Sequence, residues 1–148
     1  MNQQKSNDIE LLTELYKNMK MGADSIINIS PKVNEGKFRD ELARELDAYE
    51  SYSKKMGKII YEAGNEPKEG NPVSKIASKV GVAMNTLTDT STSHLAKLMI
   101  EGATMGITEN TTLINRYKKK GISDNVRSLA EDSVKFMETS VETLKTFL

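Results

Sequence analysis

The chain has 148 residues, 21 basic and 21 acidic side chains, one His, and neither Cys nor Trp, which is one domain's worth of sequence at zero formal net charge. That balance argues against holding nucleic acid or an anionic membrane through a strong general field, because phosphate binding needs a concentrated positive surface. Without Cys there are no disulfides, thiolate nucleophiles, zinc fingers or iron–sulfur clusters, which suits a reducing cytosol. The apolar runs, such as residues 80–84, are far shorter than the ~20 residues a membrane span needs, and residues 1–10 lack an apolar leader core. The expectation is one soluble, cytoplasmic domain over residues 1–148.

Helix-type periodicity runs from end to end, interrupted only by Pro31, Pro67 and Pro72, and no stretch alternates like a strand. Over residues 7–29, Ile9, Leu12, Tyr16, Met19, Ala23 and Ile26 recur at three and four, forming one apolar stripe. Asn7 with Glu10 three places on fits a helix start. Ser30, Pro31 and Gly36 mark a short turn, after which Phe38, Leu42, Leu46, Tyr49, Ser53, Met56 and Ile60 make a second stripe ending near Gly64. So short a connection sets this pair antiparallel. Residues 64–71, GNEPKEGN, are turn formers, and Pro72 opens a shorter amphipathic helix over 73–87 with Val73, Ile76, Val80, Met84 and Leu87 on one side. Residues 88–93, TDTSTS, offer N-caps for a third long helix carrying Leu95, Leu98, Met99, Gly102, Gly106, Leu113 and Tyr117. It stops at Lys120-Gly121, a cationic end followed by a C-cap glycine. A fourth helix, from about Ser123 to the C-terminus, uses Val126, Leu129, Ala130, Ser133, Met137, Leu144 and Phe147.

Connection lengths constrain the topology. The first and last connections are a few residues each, whereas residues 64–92 are long enough to carry the chain back along the bundle, since a 16-residue helix alone reaches roughly 24 Å. The expected fold is therefore all-α: a ferritin-like four-helix bundle whose long crossover contains a short extra helix. An up-down-up-down bundle with the extra helix folded across one end is the competing arrangement.

The layout resembles the bacterial ferritin-like superfamily, in particular its small members of unassigned function. The resemblance rests on Asn7, Asp8, Leu11 and Leu12 opening the first helix, on Leu46, Asp47, Tyr49 and Glu50 in the second, on the GNEPKEG turn, and on Glu101, Gly102 and Tyr117. At its most active it implies a di-iron site with glutamates on two helices and Glu-x-x-His pairs on the other two. This chain has one His with no Glu three places before it, and position 91 is Ser91. Glu10 and Glu14 fall opposite the first stripe, Glu45 and Glu50 flank the second, and Glu131, Asp132, Glu138 and Glu142 lie off the fourth. The expectation is no bound metal, no cofactor and no catalytic residue: a non-catalytic structural or interaction protein.

Several residues remain as functional candidates. Glu109 falls between Gly106 and Leu113 and reads as the one acid on an apolar stripe: if buried, it is protonated or bonded to Tyr16, Tyr49 or Tyr117 and serves as a residual metal ligand or proton-handling group, and otherwise it is a glutamate whose stem packs while its head reaches water. His94, with Lys97 three places on, resembles histidine phosphotransfer proteins, which are also four-helix bundles. However, Leu98 stands where those carry Gly, and Leu95 where a histidine kinase carries an acid. Gly102 and Gly106 form a small-xxx-small pair, read as a close helix crossing or as a bend or ligand niche. Arg116, Lys118, Lys119, Lys120 and Arg127 make the one basic cluster, at a helix C-terminus where the dipole favours cations, so no nucleic-acid partner is expected. The second apolar side of the 73–87 helix, Val82 and Ala83 beside Val80 and Met84, suggests a homodimer or protein partner.

Overall fold

The computed structural model of the chain describes residues 2–67 and 87–148. Four long helices make up almost all of it: α1 (Gln3–Ile29), α2 (Gly36–Glu62), α3 (Thr92–Lys120) and α4 (Asp124–Lys145), with one 3-10 turn at Ser30–Lys32. Strands are absent among the described residues. The short helix and dimer surface expected over 73–87 lie, apart from half-buried Leu87, outside the described residues.

Local chemistry sets most of the helix ends. Ser91 caps α3, its hydroxyl accepting from the His94 amide, and the Glu35 carboxylate accepts from the amides of Lys37 and Phe38 at the start of α2. Gly121 ends α3 with φ of 102°, a conformation that glycine adopts without the strain a side chain would add. The start of α1 differs from the sequence reading: Asn2 is its cap, accepting from the Lys5 amide at 2.7 Å, and the helix begins before Asn7. Asn7 and Asp8 are buried inside α1 and serve other helices instead. The Asn7 amide donates to the Lys120 and Gly121 carbonyls at the end of α3, and Asp8 Oδ1 accepts from the Ser123 amide at the start of α4.

The four helices enclose one core in which Leu11, Leu15, Phe38, Met56, Leu95 and Leu144 are wholly or almost wholly buried. The inward face of α1 is wider than the predicted stripe, since Leu11 and Leu15 are buried while Ile9 and Tyr16 are only half-buried.

Side-chain pairings fix the helix directions. Gly22 lies against Tyr49 and Gly57 against Tyr16, so α1 and α2 are antiparallel. Tyr117 meets Glu10 and Asn110 meets Asn18, so α3 is also antiparallel to α1. α2 and α3 therefore point the same way. Phe38 against Phe147 and Tyr49 against Phe136 set α4 antiparallel to α2. Short loops join α1 to α2 and α3 to α4, but the end of α2 and the start of α3 stand at opposite ends of the assembly. The up-down-up-down arrangement is incompatible with these directions.

Candidate functional site

The carboxyl buried in this structure is that of Glu45, not Glu109. Glu45 is 1% exposed, whereas Glu109 faces solvent and the adjacent Asn110 takes the inward position at 0% exposure. The sequence pattern sets Glu45 at the flank of the α2 stripe and Leu46 on it. In fact Leu46 is half-buried and Glu45 is enclosed. Helical spacing explains both reversals. Residues 38, 42, 45, 49, 56 and 60 alternate steps compatible with 3.6 residues per turn, so Glu45 lies on the seam between Leu42 and Tyr49. On α3, Asn110 is one heptad from both Ala103 and Tyr117, which are buried, while Glu109 is one heptad from half-buried Gly102 and exposed Arg116.

Glu45 lines a cavity of about 70 Å³ that opens between α1, α2 and α3. Met21, Gly22 and Ser25 contribute from α1, Tyr49 from α2, Leu98 and Gly102 from α3, and Met137 from α4 closes one side. The walls are predominantly apolar. Gly102 has no described atom within 4 Å of where a Cβ would stand, so its missing side chain is part of the open space. Gly106 behaves differently, because a Cβ there would come within 2.6 Å of Met137 Cε. Of the two readings of the small-residue pair, Gly106 fits the close crossing and Gly102 the niche.

Glu45 lines this cavity, and its Oε2 is buried without a hydrogen-bond partner among the described residues. An apolar setting disfavours a charged carboxylate, and burial, followed by the hydrogen bond and negative charge of Glu41 one turn earlier, pushes the Glu45 carboxyl up to about 9. Burial acts on Glu41 in the same direction but is outweighed there by hydrogen bonds from Arg44 and Glu45, which hold it below its ordinary value. Arg44 grips Glu41 through both nitrogens, with Nε at 2.9 Å from Oε1. At neutral pH Glu41 is ionised and Glu45 carries the proton that joins them. With that proton directed to Glu41, Oε2 is left as a carbonyl-type acceptor that lacks a donor. Burial also raises the Tyr49 hydroxyl, reinforced by the charge at Glu45.

The other candidates are dispersed. Tyr117 is buried and its hydroxyl donates to Glu10 Oε2 at 3.2 Å, so the acid it meets is Glu10 rather than Glu109. Tyr16 is half-buried over Gly57. Tyr49 alone among the three tyrosines reaches the cavity. His94 is half-buried in the first turn of α3 and Lys97 is exposed one turn on. The basic cluster is a solvated cap: Lys118 and Arg127 both approach Glu131, and Lys120 Nζ lies 4.9 Å from the centre of the Tyr117 ring.

Among the described residues the donors do not fit a pair of iron ions. Among the described residues no three His, Cys, Asp or Glu side chains stand close enough to hold a metal ion, and the one acid inside the cavity is protonated against its neighbour. Among the described residues no helix is long and apolar enough to cross a membrane. Comparison of the chain with protein-family models, with curated proteins and with solved structures finds no match.

Proposed function

We propose that this chain is a non-catalytic binding protein on a ferritin-like framework without a di-iron centre, and that the cavity beside Glu45 seats a small ligand. The observation that carries the reading is that one cavity is lined by both Glu45, whose buried Oε2 lacks a partner among the described residues, and Gly102, which has no described atom within 4 Å of where a Cβ would stand. Leaving a buried polar atom unsatisfied costs about 1–3 kcal/mol, so an arrangement that keeps one beside open space is suited to accepting a hydrogen bond from a guest. The framework part rests on the parallel course of α2 and α3 and on the resemblance of the helix motifs. The non-catalytic part rests on the cavity chemistry: its titratable side chains, Glu45 and Tyr49, are both held protonated, and the described lining holds no His, Cys or Lys to activate the Ser25 hydroxyl. A cytoplasmic location and a homodimer through Val80, Val82, Ala83 and Met84 belong to the same proposal, and light scattering showing a strict monomer at high concentration would remove the dimer.

Methionine methyl groups supply the test, because Met21, Met99 and Met137 line the cavity and Met56 does not. With methyl-labelled methionine, four- to six-atom organic probes at millimolar concentration are expected to shift those three resonances and leave Met56 in place. Spectra unchanged by every probe would reduce the cavity to a packing defect.

A further inference from the structure

Resting on that reading, we infer that the guest is a short, uncharged alkyl compound with one oxygen that accepts a hydrogen bond from the Tyr49 hydroxyl, its chain lying along the wall formed by Leu98, Gly102 and Met137. Tyr49 is 4% exposed and lines the cavity, and the carbon bearing its hydroxyl stands 2.9 Å from where a Cβ on Gly22 would be, on the same wall. That hydroxyl makes no hydrogen bond among the described residues, and its oxygen is not sealed within the packing. The ring is held by Gly22 on α1 and by an edge-on contact with Phe136, centre to centre 4.9 Å, on α4. A phenol held in this way is a fixed donor, since a tyrosine hydroxyl carries its proton at neutral pH.

The other polar side chains of the lining point to the same class. Ser25 Oγ donates to the Met21 carbonyl at 2.9 Å, and Asn18 Nδ2 donates to Asn110 Oδ1 at 2.7 Å. Tyr49 is therefore the one described lining side chain whose donor group is wholly unengaged, and a guest completes the wall by bringing an acceptor. A charged guest finds no counter-ion. The described lining holds no Lys, Arg, His or Asp, and its one acid, Glu45, adjoins Glu41, which Arg44 already neutralises. An ammonium or carboxylate group entering here would give up its water shell without a partner in return. A volume of about 70 Å³ corresponds to roughly five water-sized spheres, which matches a ketone or alcohol of about five heavy atoms.

The experiment compares 2-butanone with 2-methyl-1-butene, which has the same shape but a methylene in place of the oxygen, on the full chain and on Tyr49→Phe, read by the methionine methyl shifts. Tyr49→Phe keeps the ring against Gly22 and Phe136 and removes only the hydroxyl. It is expected to weaken the ketone about tenfold and to leave the alkene within about twofold. Bound ketone should show a lower carbonyl stretching frequency in the parent than in alkane solution, and this shift should vanish in the variant. Butylammonium and butyrate should each bind at least about tenfold more weakly than the ketone. Ketone affinity unaltered in Tyr49→Phe, with both neutral probes still bound, would show that water serves the hydroxyl, and overturns the acceptor while leaving the seat intact. Either ion binding as tightly as the ketone overturns the uncharged class. Should Tyr49→Phe not fold, the carbonyl frequency in the parent decides, and an alkane-like value overturns the inference. Absence of binding by ketone and alkene alike overturns both the guest class and the seat.

Discussion

Asn7 Nδ2 donates to the Gly121 carbonyl oxygen at 2.9 Å and to that of Lys120 at 3.3 Å, across more than a hundred positions of sequence. Orphan carbonyls at the end of one helix are thus satisfied from the side of another, and the neighbouring Asp8 does the reverse job for the start of α4. Asn7→Ala strips the α3 end of this donor in a buried setting and is expected to lower stability by about 1–3 kcal/mol, read from urea denaturation. Asn7→Asp should cost at least as much, because it sets a carboxylate against two carbonyl oxygens.

This pair also shows where the sequence was and was not legible. Signals complete within a few residues are legible: Pro31 at the first turn, the 88–93 run of cap candidates, of which Ser91 caps α3, and Lys120-Gly121 at its end. Asn7 carries the same local signature as a helix start, yet its partner lies on another element, and no local pattern reveals that. The inward slots raise a related difficulty. Glu45 and Leu46, like Glu109 and Asn110, both fall within the arc of an apolar stripe, and hydrophobicity favours the wrong member in α2. Packing against Leu42 and Tyr49 decides the first case, and heptad partners at Ala103 and Tyr117 decide the second. The cavity is legible in the sequence only as the niche alternative at Gly102, since the pattern of α2 sets Glu45 at the edge of its stripe.

Two of the three glycines that border the cavity make opposite predictions. Gly102→Ala adds a methyl group within a helix where no described atom lies within 4 Å, and should raise stability by about 0.5–1 kcal/mol through helix propensity. Gly22→Ala would place its Cβ 2.5 Å from the ring of buried Tyr49, and such overpacking costs about 1–3 kcal/mol, more than the propensity gain. Thermal unfolding of the two variants beside the parent checks the sign of each.

The donor argument makes its own prediction for metal. Apoprotein offered ferrous iron in air and then desalted should retain well below two irons per chain, because no three ligand-type side chains converge among the described residues. Elemental analysis giving two irons per chain would refute it.

Glu109→Leu should alter stability by no more than about 0.5 kcal/mol, since the side chain is exposed. Asn110→Ala, one residue on, removes the acceptor of the 2.7 Å hydrogen bond donated by Asn18 Nδ2 and opens space against Met137, and a loss of about 1–3 kcal/mol is expected from the stranded Asn18 donor. A deficit at position 109 equal to that at 110 would contradict the rotation of α3 described above.

The pH dependence of folding tests the Glu41–Glu45 pair. Glu45 is pushed up to about 9 in the folded chain against an ordinary carboxyl value when unfolded, so between those limits the folded state holds a proton that the unfolded state has lost. Stability therefore falls as pH rises across that window. Taken alone, the shift would amount to about 3 kcal/mol at neutral pH by linkage. Glu41 works in the other direction: its lowered value adds stability above the unfolded carboxyl range, and this is lost as pH falls through the folded value. The parent should then be most stable near the ordinary carboxyl range and weaken steadily toward pH 9. Glu45→Gln keeps a neutral donor toward Glu41 without a titrating proton. It is expected to flatten the profile between pH 5 and 9 and to exceed the parent by about 1–3 kcal/mol at pH 8, measured by urea denaturation at each pH. A parental profile level from pH 5 to 9, or a variant as steep as the parent, would show that Glu45 is not the group holding that proton.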